Sequence, residues 1–318
     1  MTSTSPLAIR AVGLRKSFDD VVVLDGIDLS IAPGTIFSLL GPNGAGKTTT
    51  VQILSTLIDA DAGQITVDGH DLARDPGAVR AAIGVTGQFS AVDGLLTGEE
   101  NLILMADLHH LERAEGRRRA ADLLSRFDLV EARKKAVATY SGGMRRRLDL
   151  AMTLVGRPRI IFLDEPTAGL DPRSRHTMWE IIRRLAADGV TIFLTTQYLE
   201  EADQLADRIA VLDRGKLVAE GTADELKRRG PAGHIRLQFA DTVGLAAAAR
   251  VFDGAVRDED ALALKVPSDG SVPALRRLLD RLDRDSIELA GLSVHTADLD
   301  DVFFALTDHA TTENGATR

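Results

Sequence analysis

No cysteine occurs in the 318 residues, which excludes a disulfide framework, a thiolate metal site and a cysteine nucleophile, and fits a reducing compartment. Long apolar runs are missing too. Stretches such as Thr35 to Leu40 and Arg159 to Leu163 fall far short of the roughly 18 to 20 residues a helix needs to cross a bilayer. Met1 to Arg10 has neither the basic head nor the apolar stretch of a signal peptide, so a cytoplasmic location is expected. Excess positive charge is also lacking. A formal charge of −9 argues against general affinity for nucleic acid, which rests on clustered Lys and Arg neutralising phosphates. No internal repeat or low-complexity tract is found. What is present is an ordinary 44% hydrophobic content and length enough for one good-sized domain plus a smaller one.

The first two-thirds alternates apolar runs with helical patterns, as a mostly parallel α/β sheet does. Thr35–Leu40, Ile160–Leu163, Thr191–Leu194 and Ile209–Leu212 are unbroken apolar runs, which predicts strands buried between two helical layers. From about residue 88 to 155 the pattern turns helical. Thr97 and Glu100 form a capping box, and Ala120, Leu123, Leu124 and Phe127 recur at helix spacing, so a helical subdomain is expected within a domain of residues 1–228. After a charged helix, Gly230-Pro-Ala-Gly233 reads as a linker. An accessory or regulatory α+β domain at 234–310 follows with a β-α-β-β-α-β order, which suggests a ferredoxin-like module closed by a helix at Leu299 to Leu306.

Gly41-Pro42-Asn43-Gly44-Ala45-Gly46-Lys47-Thr48 follows a predicted strand and opens a helix with apolar positions at Val51, Leu54, Leu57 and Ile58. Such a loop wraps a β-phosphate in backbone N–H groups, with Lys47 bridging β- and γ-phosphates and Thr48 holding Mg²⁺. The binding set runs on to Thr49. At the end of a second buried strand stand Asp164 and Glu165. Alone, such a pair serves as readily for a helix N-cap. Beside a phosphate loop, Asp164 would hold the Mg²⁺ shell and Glu165 would accept hydrogen bonds from the attacking water.

Tyr140-Ser141-Gly142-Gly143-Met144, combined with the loop and with Asp164-Glu165, resembles the nucleotide-binding subunit of ABC transporters. The resemblance implies that Ser141 and the Gly142 and Gly143 N–H groups receive the γ-phosphate of ATP bound to a second copy, giving a head-to-tail homodimer with ATP at its interface. The bland reading of Ser141 is a plain N-cap. By the same resemblance Phe18 stacks on adenine, Gln88 touches Mg²⁺ and water and joins the core to the helical subdomain, and Asp171 communicates across the dimer. Their ordinary alternatives are a core phenylalanine, a loop glutamine and a cap for the helix starting near Pro172. Where most such ATPases carry a histidine against the γ-phosphate, Gln197 stands. Its amide donates a hydrogen bond but carries no positive charge, so slower turnover is expected.

Thr195 to Asp203, with Asp300-Asp301-Val302-Phe303, narrows the likeness to the daunorubicin/doxorubicin resistance type. That implies an ATPase subunit at the cytoplasmic face of a bacterial membrane, working with a separate transmembrane permease to export an antibiotic or another amphipathic compound. The alternatives are an ABC ATPase outside transport, such as an iron–sulfur assembly type, and a regulatory ATP-binding subunit with little turnover. Arg145-Arg146-Arg147 spans about 200° of a helix, so its three side chains share no face and a solvated surface is expected. Trp179 reads as core packing.

Overall fold

The computed structural model describes residues 6–88, 90–228, 233–295, 299–300 and 302–303. The elements in order are β1 (Ile9–Phe18), β2 (Val21–Ile31), β3 (Ile36–Leu40), α1 (Lys47–Leu54), β4 (Ala62–Val67), β5 (His70–Asp71), α2 (Pro76–Ala82), β6 (Ile83–Thr86), α3 (Gly98–Leu108), α4 (Arg113–Arg126) and α5 (Gly142–Thr153). There follow β7 (Ile160–Asp164), α6 (Pro172–Ala187), β8 (Thr191–Thr196), α7 (Leu199–Leu205), β9 (Arg208–Asp213), β10 (Lys216–Gly221) and α8 (Ala223–Lys227). The last set is β11 (His234–Gln238), α9 (Thr242–Val251), β12 (Val256–Asp258), β13 (Ala263–Pro267), α10 (Val272–Arg284) and β14 (Gly291–His295). Contacts divide the chain into units 1–223 and 224–318.

In the first unit a six-stranded sheet runs β10-β9-β3-β8-β7-β6, parallel except for the antiparallel edge β10. Every residue of β3, β7 and β8 is buried, because both faces are covered, and this is why these strands read as unbroken apolar runs. Alternate residues serve two cores. Ile161, Leu163, Ile192 and Leu194 pack with α5, α6 and the inserted helices. Phe37, Phe162 and Phe193 face α1 and a second, antiparallel sheet of order β2-β1-β4-β5, with the Phe37 and Phe162 rings each 5.6 Å from Phe193.

The register positions the site. Leu40 pairs with Thr196, Thr195 with Asp164, and Leu163 with Thr86. The carboxyl ends of β3, β8, β7 and β6 therefore lie in one row, where open α/β sheets bind ligands. Between β6 and β7 the chain makes α3, α4 and α5, with the Thr97–Glu100 capping box closed in both directions and Ala120, Leu123, Leu124 and Phe127 in the core. The helix after the phosphate loop is shorter than its apolar spacing predicts. It stops at Leu54, Thr56 turns to φ 64°, and Leu57 is exposed.

The second unit has the sheet order β12-β13-β11-β14, all antiparallel, around a core of Ile235, Leu237, Phe239, Leu264 and Leu278. This is the ferredoxin-like split β-α-β arrangement. The predicted linker at 230–233 and the closing helix at 299–306 lie mostly outside the described residues, as does Asp301 of the tail motif.

Candidate functional site

The loop after β3 is built around close backbone approaches. Gly41 N–H donates to Thr196 O at 3.2 Å, and a Cβ on Gly41 would collide with Leu212 O. Gly46 takes φ 108°, and a Cβ there would fall 2.6 Å from Leu24 Cδ2 and 3.0 Å from Val23 O. Only glycine meets both conditions. Pro42, Asn43, Gly44 and Ala45 span the turn, closed by Ala45 N–H donating to Pro42 O at 3.3 Å. α1 then begins with no side-chain cap on its first N–H groups, so Lys47, Thr48 and Thr49 open a helix end suited to an anion. Lys47 is buried, and its Nζ donates to Gly41 O at 2.8 Å and to Pro42 O at 3.0 Å. It also pairs with Glu165 Oε1 at 3.4 Å.

β8 holds the loop and the carboxylates together. Asp164 is buried and accepts a hydrogen bond at Oδ1 from the Thr195 hydroxyl. Glu165 N–H is shared between Thr195 O at 3.2 Å and Thr195 Oγ1 at 3.1 Å. Glu165 itself sits at φ 47°, a left-handed conformation costing a non-glycine residue about 1 to 2 kcal/mol. Its C=O is held from the other side by Arg146 Nη2 at 3.3 Å. Gln197 follows directly on β8, and the Thr196 hydroxyl accepts Tyr198 N–H at 2.9 Å to start the turn into α7.

Gln88 is exposed two residues past β6, while Phe89 lies outside the described residues. Arg146, expected on a solvated surface, is instead nearly buried at 11% exposure. The cause is its surroundings: carbonyl oxygens of Gly87, Asp164, Glu165 and Pro166 converge on the guanidinium. Asp149, one turn on, pairs with it at 3.3 Å. Burial pushes the Asp149 carboxyl above its usual range, with Arg146 opposing. Arg145 and Arg147 point elsewhere, bonding Tyr140 O and Phe127 O.

Ser141 caps α5, accepting Met144 N–H at 3.2 Å, and Asp171 caps α6, accepting Ser174 N–H at 3.0 Å. The bonds from Ser174 hold the Asp171 carboxyl below the usual range. Both cap readings are thus realised within one chain. The two caps adjoin, since a Cβ on Gly143 would fall 2.5 Å from Ser174 Oγ and one on Gly142 4.0 Å from Leu170 Cδ2. No contact joins Ser141, Gly142 or Gly143 to the phosphate loop among the described residues' hydrogen bonds. Phe18 ends β1 and is not a core residue: it is 46% exposed, with Lys16 Nζ 5.3 Å from the centre of its ring. Phe18 pairs with Val21 across the β1–β2 hairpin, two residues before Val23, whose carbonyl lies 3.0 Å from where a Cβ on Gly46 would stand.

Glu201 on α7 was not singled out by the sequence, yet it is completely buried. Its Oε1 accepts from Thr167 Oγ1 at 2.7 Å and Trp179 Nε1 at 3.1 Å, and burial raises its carboxyl pKa. Thr195 was likewise missed: its place at the end of an apolar run was visible, but its pairing with Asp164 appears only in the fold.

The donor set suits Mg²⁺ shared with phosphate oxygens: a hydroxyl at Thr48, a carboxylate at Asp164 and an amide at Gln88 supply the oxygen ligands such a hard cation takes. Among the described residues no group of three His, Asp or Glu forms a cage for an ion on its own.

Residues 24–168 match the ABC transporter family model. A daunorubicin resistance ATP-binding protein of Streptomyces coeruleorubidus is 49% identical over 94% of this chain and 96% of its own length. The daunorubicin/doxorubicin resistance ATP-binding protein of Streptomyces peucetius is 46% identical over 97% and 95%. A linearmycin resistance ATP-binding protein of Bacillus subtilis is 33% identical over 94% and 98%. Among solved structures, an ATP-binding subunit of an ABC transporter aligns with TM-score 0.63 and 30% identity over 70% of this chain and 93% of that one. A dimeric ATP-binding cassette in a post-hydrolysis state with ADP and phosphate aligns at TM-score 0.61 and 25% identity, over 67% of this chain and 98% of that one.

Proposed function

The chain belongs to the ABC transporter family as an ATP-hydrolysing subunit of the drug-resistance type, and from that premise we propose that two copies close on MgATP to drive export through a separate membrane permease. The cargo is an antibiotic or another amphipathic compound of the anthracycline kind. The drug named for the relatives motivates that assignment. The observation that supports the reading is the row of strand ends, where Leu40 pairs with Thr196 and Thr195 with Asp164, and beside which Lys47 pairs with Glu165.

In this reading Gly41 to Thr49 wrap the phosphates and Phe18 supports the adenine. Lys47 leaves the loop carbonyls for the β- and γ-phosphates. Thr48, Asp164 and Gln88 hold Mg²⁺, which supplies neutralisation of the phosphate charge. Glu165 accepts hydrogen bonds from the water aligned with the γ-phosphate, and the Gln197 amide donates to that phosphate. Ser141, Gly142 and Gly143 of the second copy complete the site, and Asp171 joins the two sites. We assign residues 1–228 as the nucleotide-binding domain, with its helical subdomain at about 88–155, and 234–310 as an accessory domain.

The permease is assigned to a groove of about 490 Å³ lined by Arg80, Ile83, Ala91, Met105, His109 and Asp149, beside the Gln88 segment. No helix among the described residues is long and apolar enough to cross a membrane, which suits a peripheral subunit on the cytoplasmic face. The test is anthracycline accumulation in a drug-sensitive bacterial host carrying this chain with its genetically neighbouring membrane protein, intact or as Glu165→Gln. Lower accumulation with the intact pair alone supports drug export. Equal accumulation, with expression and hydrolysis verified, removes the anthracycline assignment.

A further inference from the structure

One side chain of α5 touches three parts of the proposed catalytic apparatus at once. Arg146 Nη1 donates to Gly87 O at 2.7 Å, Nη2 to Asp164 O at 3.0 Å and Glu165 O at 3.3 Å, and Nε to Pro166 O at 2.9 Å. One turn further, Asp149 Oδ1 accepts Ala91 N–H at 3.2 Å while Oδ2 pairs with Arg146. The segment containing Gln88 is therefore pinned on both sides, at Gly87 and Ala91, by residues of the helix that Ser141 caps.

Glu165 is pinned as well. Its left-handed peptide is held at N–H by Thr195 and at C=O by Arg146. A strained conformation of this kind persists where its surroundings over-determine it. A planar guanidinium with five donors can serve four converging carbonyls, whereas a lysine ammonium has three donors and no fixed fork.

We propose that Arg146 is a positioning residue that makes α5, the Gln88 segment and the Glu165 peptide shift as one body, so that displacement of the helical insertion sets the aim of Glu165. This rests on the reading of Glu165 as the general base. A movement of about 1 Å at such a group costs on the order of 10²-fold in rate, so a modest tilt of α5 is enough to switch hydrolysis. Asp149 keeps the guanidinium in place and belongs to the same clamp.

The test compares ATP hydrolysis by the full chain, Glu165→Gln, Arg146→Lys, Asp149→Asn and the double variant Arg146→Lys/Asp149→Asn, with rates normalised to bound ATP. Arg146→Lys is expected to lower kcat at least tenfold with the KM for ATP within about threefold of the parent. Asp149→Asn is expected to give a smaller fall, and the double variant to lose less than the product of the two. Unchanged kcat in Arg146→Lys overturns the proposal, as does a multiplicative double variant. Proportional loss of kcat and of binding sites also overturns it, since that marks a purely structural role. If the parent is no faster than Glu165→Gln, the general-base reading fails instead, a result distinct from the others.

Discussion

Lys47 Nζ lies 3.4 Å from Glu165 Oε1, with the two side chains only 5% and 10% exposed. The cation proposed for phosphate and the carboxylate proposed for water thus hold each other. In the proposed roles, a phosphate arriving at the loop would compete with Glu165 for the ammonium and so release the base. Glu165→Gln should bind ATP at least as tightly as the parent, because its neutral amide competes less for Lys47. Its turnover should fall about 10²- to 10⁴-fold. Equilibrium ATP binding and phosphate release measure the two effects, and weaker binding in Glu165→Gln would contradict the competition.

Gly46→Ala places a methyl group 2.6 Å from Leu24 Cδ2 at a backbone of φ 108°. The strain and overpacking together should cost roughly 2 to 4 kcal/mol. Loss of ATP binding should come with a lowered Tm, and a variant of parental Tm that still binds ATP would show that the loop relaxes freely.

Gln197→His places a ring that can carry charge directly after β8. Turnover is expected to rise while ATP affinity stays close to the parent's, since the amide already offers a hydrogen bond. A steady-state kcat at or below the parent's would mean the glutamine does not limit hydrolysis.

Gly143→Ala pushes a methyl group against Ser174 Oγ, 2.5 Å away. Because Ser174 also holds Asp171, the caps of α5 and α6 should both move, and ATP-dependent dimerisation should drop. Gly143→Ala/Ser174→Gly removes both close atoms, Oγ at 2.5 Å and Cβ at 2.8 Å, and should recover part of it. Sedimentation with Glu165→Gln added to both chains reads the difference.

Burial raises the pKa of Glu201 above its free value. The folded state then keeps this proton to higher pH than the unfolded chain, so the group's contribution is fully present below its unfolded pKa. It is lost as pH rises through the folded value. Glu201→Gln keeps an oxygen for Thr167 and Trp179 and removes that titration. Its Tm should therefore depend less steeply on pH above the free carboxyl value of 4.5, and parallel Tm profiles would contradict the assignment.

Much of the site was legible because its chemistry is local in sequence. The Gly41–Thr48 loop and Asp164-Glu165 each follow an apolar run, and the register that aligns them is what a parallel sheet requires. The Thr97–Glu100 box and the β-α-β-β-α-β order of the second unit were read from short-range signals as well. The antiparallel layer formed by β1, β2 and β4 was not anticipated, since Arg15, Lys16, Asp25 and Asp28 interrupt its apolar alternation and its pairing is long-range. Arg146 escaped for a related reason. A helical-wheel angle tells which way a side chain leaves its helix, but not that four carbonyls from distant strands wait there. The buried Glu201 looked like its solvated neighbour Glu200, and only the folded chain brings Thr167 and Trp179 to it.

Thr195 and Thr196 face opposite ways, as successive residues of a strand must. One fixes Asp164 and Glu165, and the carbonyl of the other fixes Gly41. A slip of β8 by a single residue would exchange their directions. A one-residue insertion or deletion within 191–196 should therefore silence the enzyme even where the sheet survives, while the same change beyond Gly221 leaves this arrangement of hydroxyl and carbonyl intact. Length, as much as residue identity, is under constraint along this strand.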